Sequence, residues 1–297
     1  MDWDILKKDF KRYLLLERGL SENSIAAYLN DLNKLQQFAE IKKLNAADIR
    51  TQDLQEFLQW INEFAISAFS QARLLSGIKT FYTFMTIERH VATSPADLLE
   101  TPRLARKIPA VLAYHEIDEL IGANDLSTPE GVRNKAILEV LYGCGLRVSE
   151  LCSLKISNLF LEVEFIKVEG KGNKERLVPI GKQAIHHLRI YLDEIRTAVK
   201  IKPGKEDYVF LNRRGNPLSR VMVFLIIKEL AKRINLKKEI SPHTFRHSFA
   251  SHLVEGGADL RAVQDMLGHE SITTTEIYTH IDREYLHSVI NQFHPRS

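Results

Sequence analysis

Three prolines within fifteen residues, Pro95, Pro102 and Pro109, constrain this chain more than any other feature. Each lacks a backbone donor and clashes with the turn before it, so a helix cannot run through all three. We therefore place a domain boundary there. Between them, Thr101–Ala110 carries three cations and no acid. Such a run reads either as a solvated linker or as a basic strap across a phosphate backbone.

Before the break every apolar pattern has a helical period. Asp4–Glu17 places Phe10, Tyr13 and Leu14 on one side. Ser21 caps a second helix to about Phe38, Gln52–Phe64 forms a third and Ser67–Ile87 a fourth. These predict a small helical bundle. After the break the period is mixed. Helices are expected at Tyr114–Ala123 and Pro129–Tyr142, and the corner "GCGLRVSEL" leads into another. In "VEFIKVEGKGNKERLVPI", two β-rich runs, Val163–Val168 and Arg176–Ile180, flank a Gly-Asn turn and predict a hairpin. Tyr208–Leu211 reads as a third strand. Helices are then expected at Arg220–Ile234, Pro242–Glu255, Leu260–Leu267, around Thr274–Thr279 and at Arg283–Phe293. The fold class is mainly α: an N-terminal helical bundle, then a mixed α/β domain with a small antiparallel sheet.

At 297 residues the chain has the length for two cores. It contains no apolar run of bilayer-spanning length and no basic-then-apolar leader, so no membrane association and a cytoplasmic location are expected. Cys144 and Cys152 are eight apart, which suits neither a disulfide framework nor a metal knuckle. A net charge of +3 does not single out a partner.

The stretch "SPHTFRHSF", Ser241 to Phe249, carries the chemistry. Ser241 is an N-cap type, Pro242 suits the first helical position, and Phe245, Phe249 and Leu253 recur at helical spacing. His243 and Arg246 are three apart, at the positive end of the helix dipole, where an anion would be welcome. Arg147 follows two glycines and precedes Glu150 by three positions, which is a helix-start salt bridge or a ligand-gripping corner. Lys171 stands in the hairpin turn, a solvated lysine or one reaching outward from a rigid platform. His269 directly follows Gly268, and Tyr278 lies in "TTTEIYTHI", where it could be plain core. Two arginines, two histidines and a lysine can grip a phosphodiester and move protons around it. Near them stands no carboxylate pair for magnesium and no HExxH for zinc, so protein cations would have to neutralise developing charge.

The motifs "GLRVSEL", "EGKGNKERLVPI", "HTFRHSFASHLVEGGADLRAVQDMLGH" and "TTTEIYTH" resemble those of the tyrosine recombinases, closest to the bacterial Xer type. The resemblance covers nearly the whole chain. It implies a core-binding DNA-clamp domain at 1–100, a basic linker at 101–110 and a catalytic domain at 111–297. It implies that Tyr278 attacks a DNA phosphodiester to give a 3′-phosphotyrosine, with Arg147, Arg246 and His269 on the phosphate. Lys171 would be the general acid and His243 would handle the tyrosine proton. No ATP, metal or other cofactor is called for. The implied partners are a double-stranded recombination site, further protomers or a sister recombinase in a tetramer, and a septal DNA translocase, with chromosome-dimer resolution as the role. The final helix packs on its own domain or docks in a neighbour. Three other readings remain: an integrase of a mobile element, a non-catalytic DNA-binding protein, and a metal-dependent hydrolase using His243 and His247.

Overall fold

The computed structural model describes residues 2–63, 67–100, 102, 110–170, 174–268 and 280–296, without the side chains of 280–283. The chain divides into two compact units, Met1–Lys107 and Ile108–Ser297.

Every regular element among the first unit's described residues is a helix. It comprises α1 (Trp3–Arg12), α2 (Glu22–Lys42), α3 (Thr51–Glu63) and α4 (Ala68–Ile87). Side-chain caps set the starts: Ser21 Oγ accepts from the Ser24 amide and Ser67 Oγ from the Ser70 amide. The expected first helix widens into a π turn over Tyr13–Glu17. The wider turn buries Tyr13 and Leu14 and leaves Leu15 and Leu16 exposed. Phe10, Leu14, Leu35, Phe57, Phe81 and Tyr82 fill the core. At its edge Arg73 of α4 donates both Nη groups to the buried Asp31 of α2, at 2.7 and 2.6 Å.

The second unit begins with α5 (Tyr114–Gly122), α6 (Pro129–Gly143) and the short α7 (Val148–Ser153). Strands β1 (Leu159–Phe160), β2 (Phe165–Glu169) and β3 (Glu175–Pro179) form one antiparallel sheet in that order. Its register sets Val168 opposite Arg176 and Phe165 opposite Pro179. Then come α8 (Lys182–Ile190), α9 (Arg220–Arg233), α10 (Pro242–Gly256), α11 (Leu260–Leu267) and α12 (His280–Phe293). The central helix, α6, is buried on every side from Ala136 to Gly143. Among the described residues no helix is long and apolar enough to cross a membrane.

Two expectations need correction. Tyr208–Leu211 is not a strand of the sheet, whose third member is Leu159–Phe160. The run makes only isolated bridges, because Leu154 O takes the Val209 amide and the Tyr191 hydroxyl takes the Leu211 amide. Those backbone groups are satisfied without a ladder. Helix α8 was not anticipated, although Ala184, Ile185 and Leu188 line its buried side at helical spacing and Tyr191 continues that side in the π turn that follows. The short helix expected around Thr274–Thr279 lies outside the described residues.

Helix α12 packs on its own unit through Leu286, Val289 and Ile290. Arg296 beyond it grips Glu139 of α6 with Nε and Nη2, at 2.9 and 2.5 Å, and also meets Asp118 of α5.

Candidate active site

Arg147 is delivered by a turn that only glycine makes easily. Gly145 has φ +56°, and a Cβ there would stand 2.4 Å from the Phe249 ring of α10. The chain turns tightly off α6 and places Arg147 at the N-cap of α7. Its amide donates to Glu150 Oε2 and its Nη1 to Glu150 Oε1, both at 2.8 Å. A helix-start salt bridge is therefore present, but its carboxylate is only 3% exposed. That burial separates it from a surface pair of little consequence.

Arg246 arrives from the first turns of α10. Pro242 opens that helix, and the Ser241 amide donates to Thr244 Oγ1 at 3.1 Å. Phe245, Phe249 and Leu253 turn fully into the core. Arg246 is buried with them, donating Nη1 to Gly145 O at 2.9 Å and Nη2 to Leu267 O at 2.5 Å. Its Nη1 lies 4.0 Å from Glu150 Oε2. Residues 147 and 246 thus converge on one carboxylate.

A third arginine, Arg176 of β3, completes the cluster. It donates Nη1 and Nη2 to the two oxygens of Glu150 at 2.8 and 2.9 Å, and Nε to Met266 O at 2.8 Å. Arg147 Nη2 reaches Gly268 O at 3.1 Å. Three successive carbonyls at the end of α11, those of Met266, Leu267 and Gly268, each accept from a different arginine. A helix C-terminus leaves such carbonyls unpaired and carries the negative end of the dipole. Gly268, at φ +66°, ends the helix in the left-handed conformation.

Burial pushes the Glu150 carboxyl up, but hydrogen bonds and charge from Arg176, then Arg147, outweigh it and hold the group below its ordinary range. Burial, then repulsion from Arg147, brings Arg246 down to about 10, which still leaves it charged at neutral pH. Three guanidiniums around one carboxylate leave an excess of positive charge. Arg147 keeps a third of its side chain open to solvent. The arrangement can receive an anion with several oxygens.

His243 is exposed on the first turn of α10, and His247 is exposed one turn later. Lys171, His269 and Tyr278 lie outside the described residues. Described chain adjoins two of them: Gly170 donates its amide to Lys174 O at 2.8 Å across the hairpin that carries Lys171, and Gly268 directly precedes His269. Sequence reasoning missed Arg176 and undervalued Glu150. A signal existed, since Arg176 alternates with Val178 and Ile180 on the buried face of its strand. A cation at an inward strand position needs a buried anion. Among the described residues no three His, Cys, Asp or Glu side chains gather as a metal site.

Two family models match the chain. The phage integrase family model matches residues 110–284, and the phage integrase N-terminal SAM-like domain model matches residues 8–89. The tyrosine recombinase XerD of Staphylococcus saprophyticus is 42% identical over 295 residues, covering 99% of this chain and all of the relative. Its counterpart in Chlorobaculum tepidum is 44% identical, covering 99% of this chain and 97% of the relative. Among solved structures, the XerA recombinase is similar at 30% identity with a TM-score of 0.51 and full coverage of both chains. XerH bound to palindromic difH shares the fold, with a TM-score of 0.70 at 23% identity, covering 97% of this chain and 83% of that one.

Proposed function

This chain belongs to the phage integrase family of tyrosine recombinases, and on that premise we propose that it cuts and rejoins DNA strands at a specific site. Residues 1–100 clamp the duplex, 101–110 link, and 111–297 catalyse. The observation that carries this reading is the meeting of Arg147 and Arg246, far apart in sequence, over one buried carboxylate and the end of α11.

Tyr278 attacks the scissile phosphorus, the P–O5′ bond breaks, and a 3′-phosphotyrosine and a 5′-hydroxyl result. The bond energy is kept for rejoining. Arg147 and Arg246 hold the non-bridging oxygens and neutralise the charge that grows on them, with His269 as a further donor. Lys171 protonates the departing 5′-oxygen. His243 takes the proton from a phenol whose ordinary value near 10 makes it a weak nucleophile at neutral pH. No ATP or metal enters this scheme. High identity to XerD proteins over the whole chain favours chromosome-dimer resolution over mobile-element integration. The working assembly is then four protomers, identical or shared with a sister recombinase, around two duplexes, with a septal DNA translocase as a candidate activator.

A nicked suicide duplex carrying the target site tests the reading. Wild type should become covalently trapped whether or not chelator is present, and Tyr278→Phe should bind the duplex without trapping. Binding with no crosslink under any partner condition would remove the enzymatic reading, and chelator-sensitive cleavage would favour the hydrolase.

A further inference from the structure

We propose that Arg176 is a positioning residue for strand cleavage, a single guanidinium that sets the placement of Arg147, of Gly268 ahead of His269 and of Gly170 ahead of Lys171. This rests on the reading that the chain cleaves DNA through Tyr278. Arg176 is 8% exposed, and its Nε, Nη1 and Nη2 all donate within the protein. It does not offer itself to a substrate.

Three segments meet on it. The first is the start of α7, where Glu150 takes both Nη donors and in turn holds Arg147 by its amide and its Nη1. The second is the end of α11. Met266 O accepts from Nε, and a Cβ on Gly268 would stand 3.1 to 3.3 Å from Arg176 Cδ, Nε and Cζ. The arginine therefore leaves no easy room for a side chain on the glycine before His269. The third is the hairpin turn. A Cβ on Gly170 would stand 3.6 Å from Arg176 Nη1 and 3.8 Å from Glu150 Oε1, so the residue before Lys171 lies beside the ion pair. Arginine's planar fork can serve two carboxylate oxygens and a carbonyl at once, which a lysine ammonium cannot do with the same directions.

The charge balance makes the same point. Arg176 occupies both oxygens of Glu150, and Arg246 Nη1 stands off at 4.0 Å. Without Arg176 the carboxylate would draw Arg246 inward, away from a phosphate, and would be free to carry Arg147 with it. Misplacement of about 1 Å at a reacting centre costs roughly a hundredfold in rate.

Single-turnover trapping on the suicide duplex, run with the full chain below the onset of melting, separates the possibilities. Wild type, Arg176→Lys and Arg176→Ala are each measured for duplex Kd and for trapping rate at saturating duplex. We expect Kd to stay within about threefold, with the rate falling roughly tenfold in the lysine variant and roughly a hundredfold in the alanine variant. Arg176→Lys keeps the charge and carries the test if the alanine variant does not fold. A wild-type rate in folded Arg176→Lys overturns the proposal. So does weakened binding with an unchanged rate, or failure of both variants to fold, which would assign Arg176 to stability alone. If wild type itself never traps, the recombinase reading fails instead, and the Arg176 proposal falls with it.

Discussion

Asp31 and Glu150 are both buried carboxylates gripped bidentately by an arginine, yet their environments shift them in opposite directions. Asp31 is fully buried in the helical unit and faces Arg73 at 2.6 and 2.7 Å, with Lys34 at 4.0 Å. Burial wins there, and its carboxyl lies above the ordinary range despite the pairing. Glu150 is almost as buried, but Arg176 and Arg147 bond it directly and Arg246 stands nearby, so the cations win and the carboxyl lies below that range. One carboxylate to one guanidinium is a cross-link between helices. One carboxylate to three guanidiniums is a site short of an anion. Stoichiometry, more than burial, distinguishes the functional cluster from the structural pair.

Breaking the larger cluster should have the largest effect. Glu150→Gln keeps the shape but removes the carboxylate that the three cations share. We expect a loss of about 3–5 kcal/mol in stability, as for other buried pairs deprived of one partner. Trapping on the suicide duplex should fall by roughly a thousandfold as Arg147 and Arg176 lose their common anchor. Denaturant melts and single-turnover trapping check the two arms. An unchanged trapping rate would show that Glu150 is structural, as Asp31 is.

How much of this cluster was legible in the sequence follows from what each residue's role depends on. The helix start at Pro242 and the glycine stop at Gly268 are local, encoded in cap chemistry and backbone freedom, and they stand where expected. The strand pair was legible from β-rich runs around a Gly-Asn turn, within two residues at its ends. The third strand was misplaced because Val209–Leu211 is apolar for burial in a core that α8 also lines, and a short apolar run does not disclose which neighbour satisfies its backbone. Arg147 and Arg246 could be singled out from neighbouring glycines and a helix start. Arg176 could not be paired with Glu150, because the two are separated by the hairpin and meet only when the sheet packs beside α7. Non-local ion pairs have no periodicity to betray them.

A third stoichiometry sharpens the comparison. At the C-terminus Arg296 serves two carboxylates, Glu139 and Asp118, beside His294, which is 4% exposed. Burial pushes His294 down to about 3, aided by His252 of α10 and by Arg296. Its ring packs on Tyr142 of α6 and Phe249 of α10, at 4.8 and 5.4 Å between centroids. The imidazole is neutral when folded and protonates readily only once released. Its folded value lies below the unfolded one, near 6.5, so its contribution is complete above about pH 6.5 and is lost as pH falls toward 3. Between pH 7 and 5 the loss should amount to about 2 kcal/mol. Thermal melts at the two pH values check this, and His294→Phe should flatten the dependence. An equal slope in that variant would place the acid sensitivity elsewhere.

The smallest effect is expected at Asp31, and there the sign of the carboxyl shift decides the outcome. A carboxyl raised by folding binds its proton more tightly in the native state, so its charged form is a burden at neutral pH. Asp31→Asn removes that burden, keeps one acceptor for Arg73, and leaves a guanidinium that is half exposed and can rehydrate. Replacing a costly buried pair is often close to neutral, and the expected change is within about 1 kcal/mol. Because the pair belongs to the helical unit and the site's described residues belong to the other, trapping at saturating duplex should keep its wild-type rate. Denaturant melts and the suicide-duplex assay, run beside Glu150→Gln, read both quantities. Should Asp31→Asn cost as much as Glu150→Gln in both, counting partners around a buried carboxylate would not distinguish a cross-link from a site.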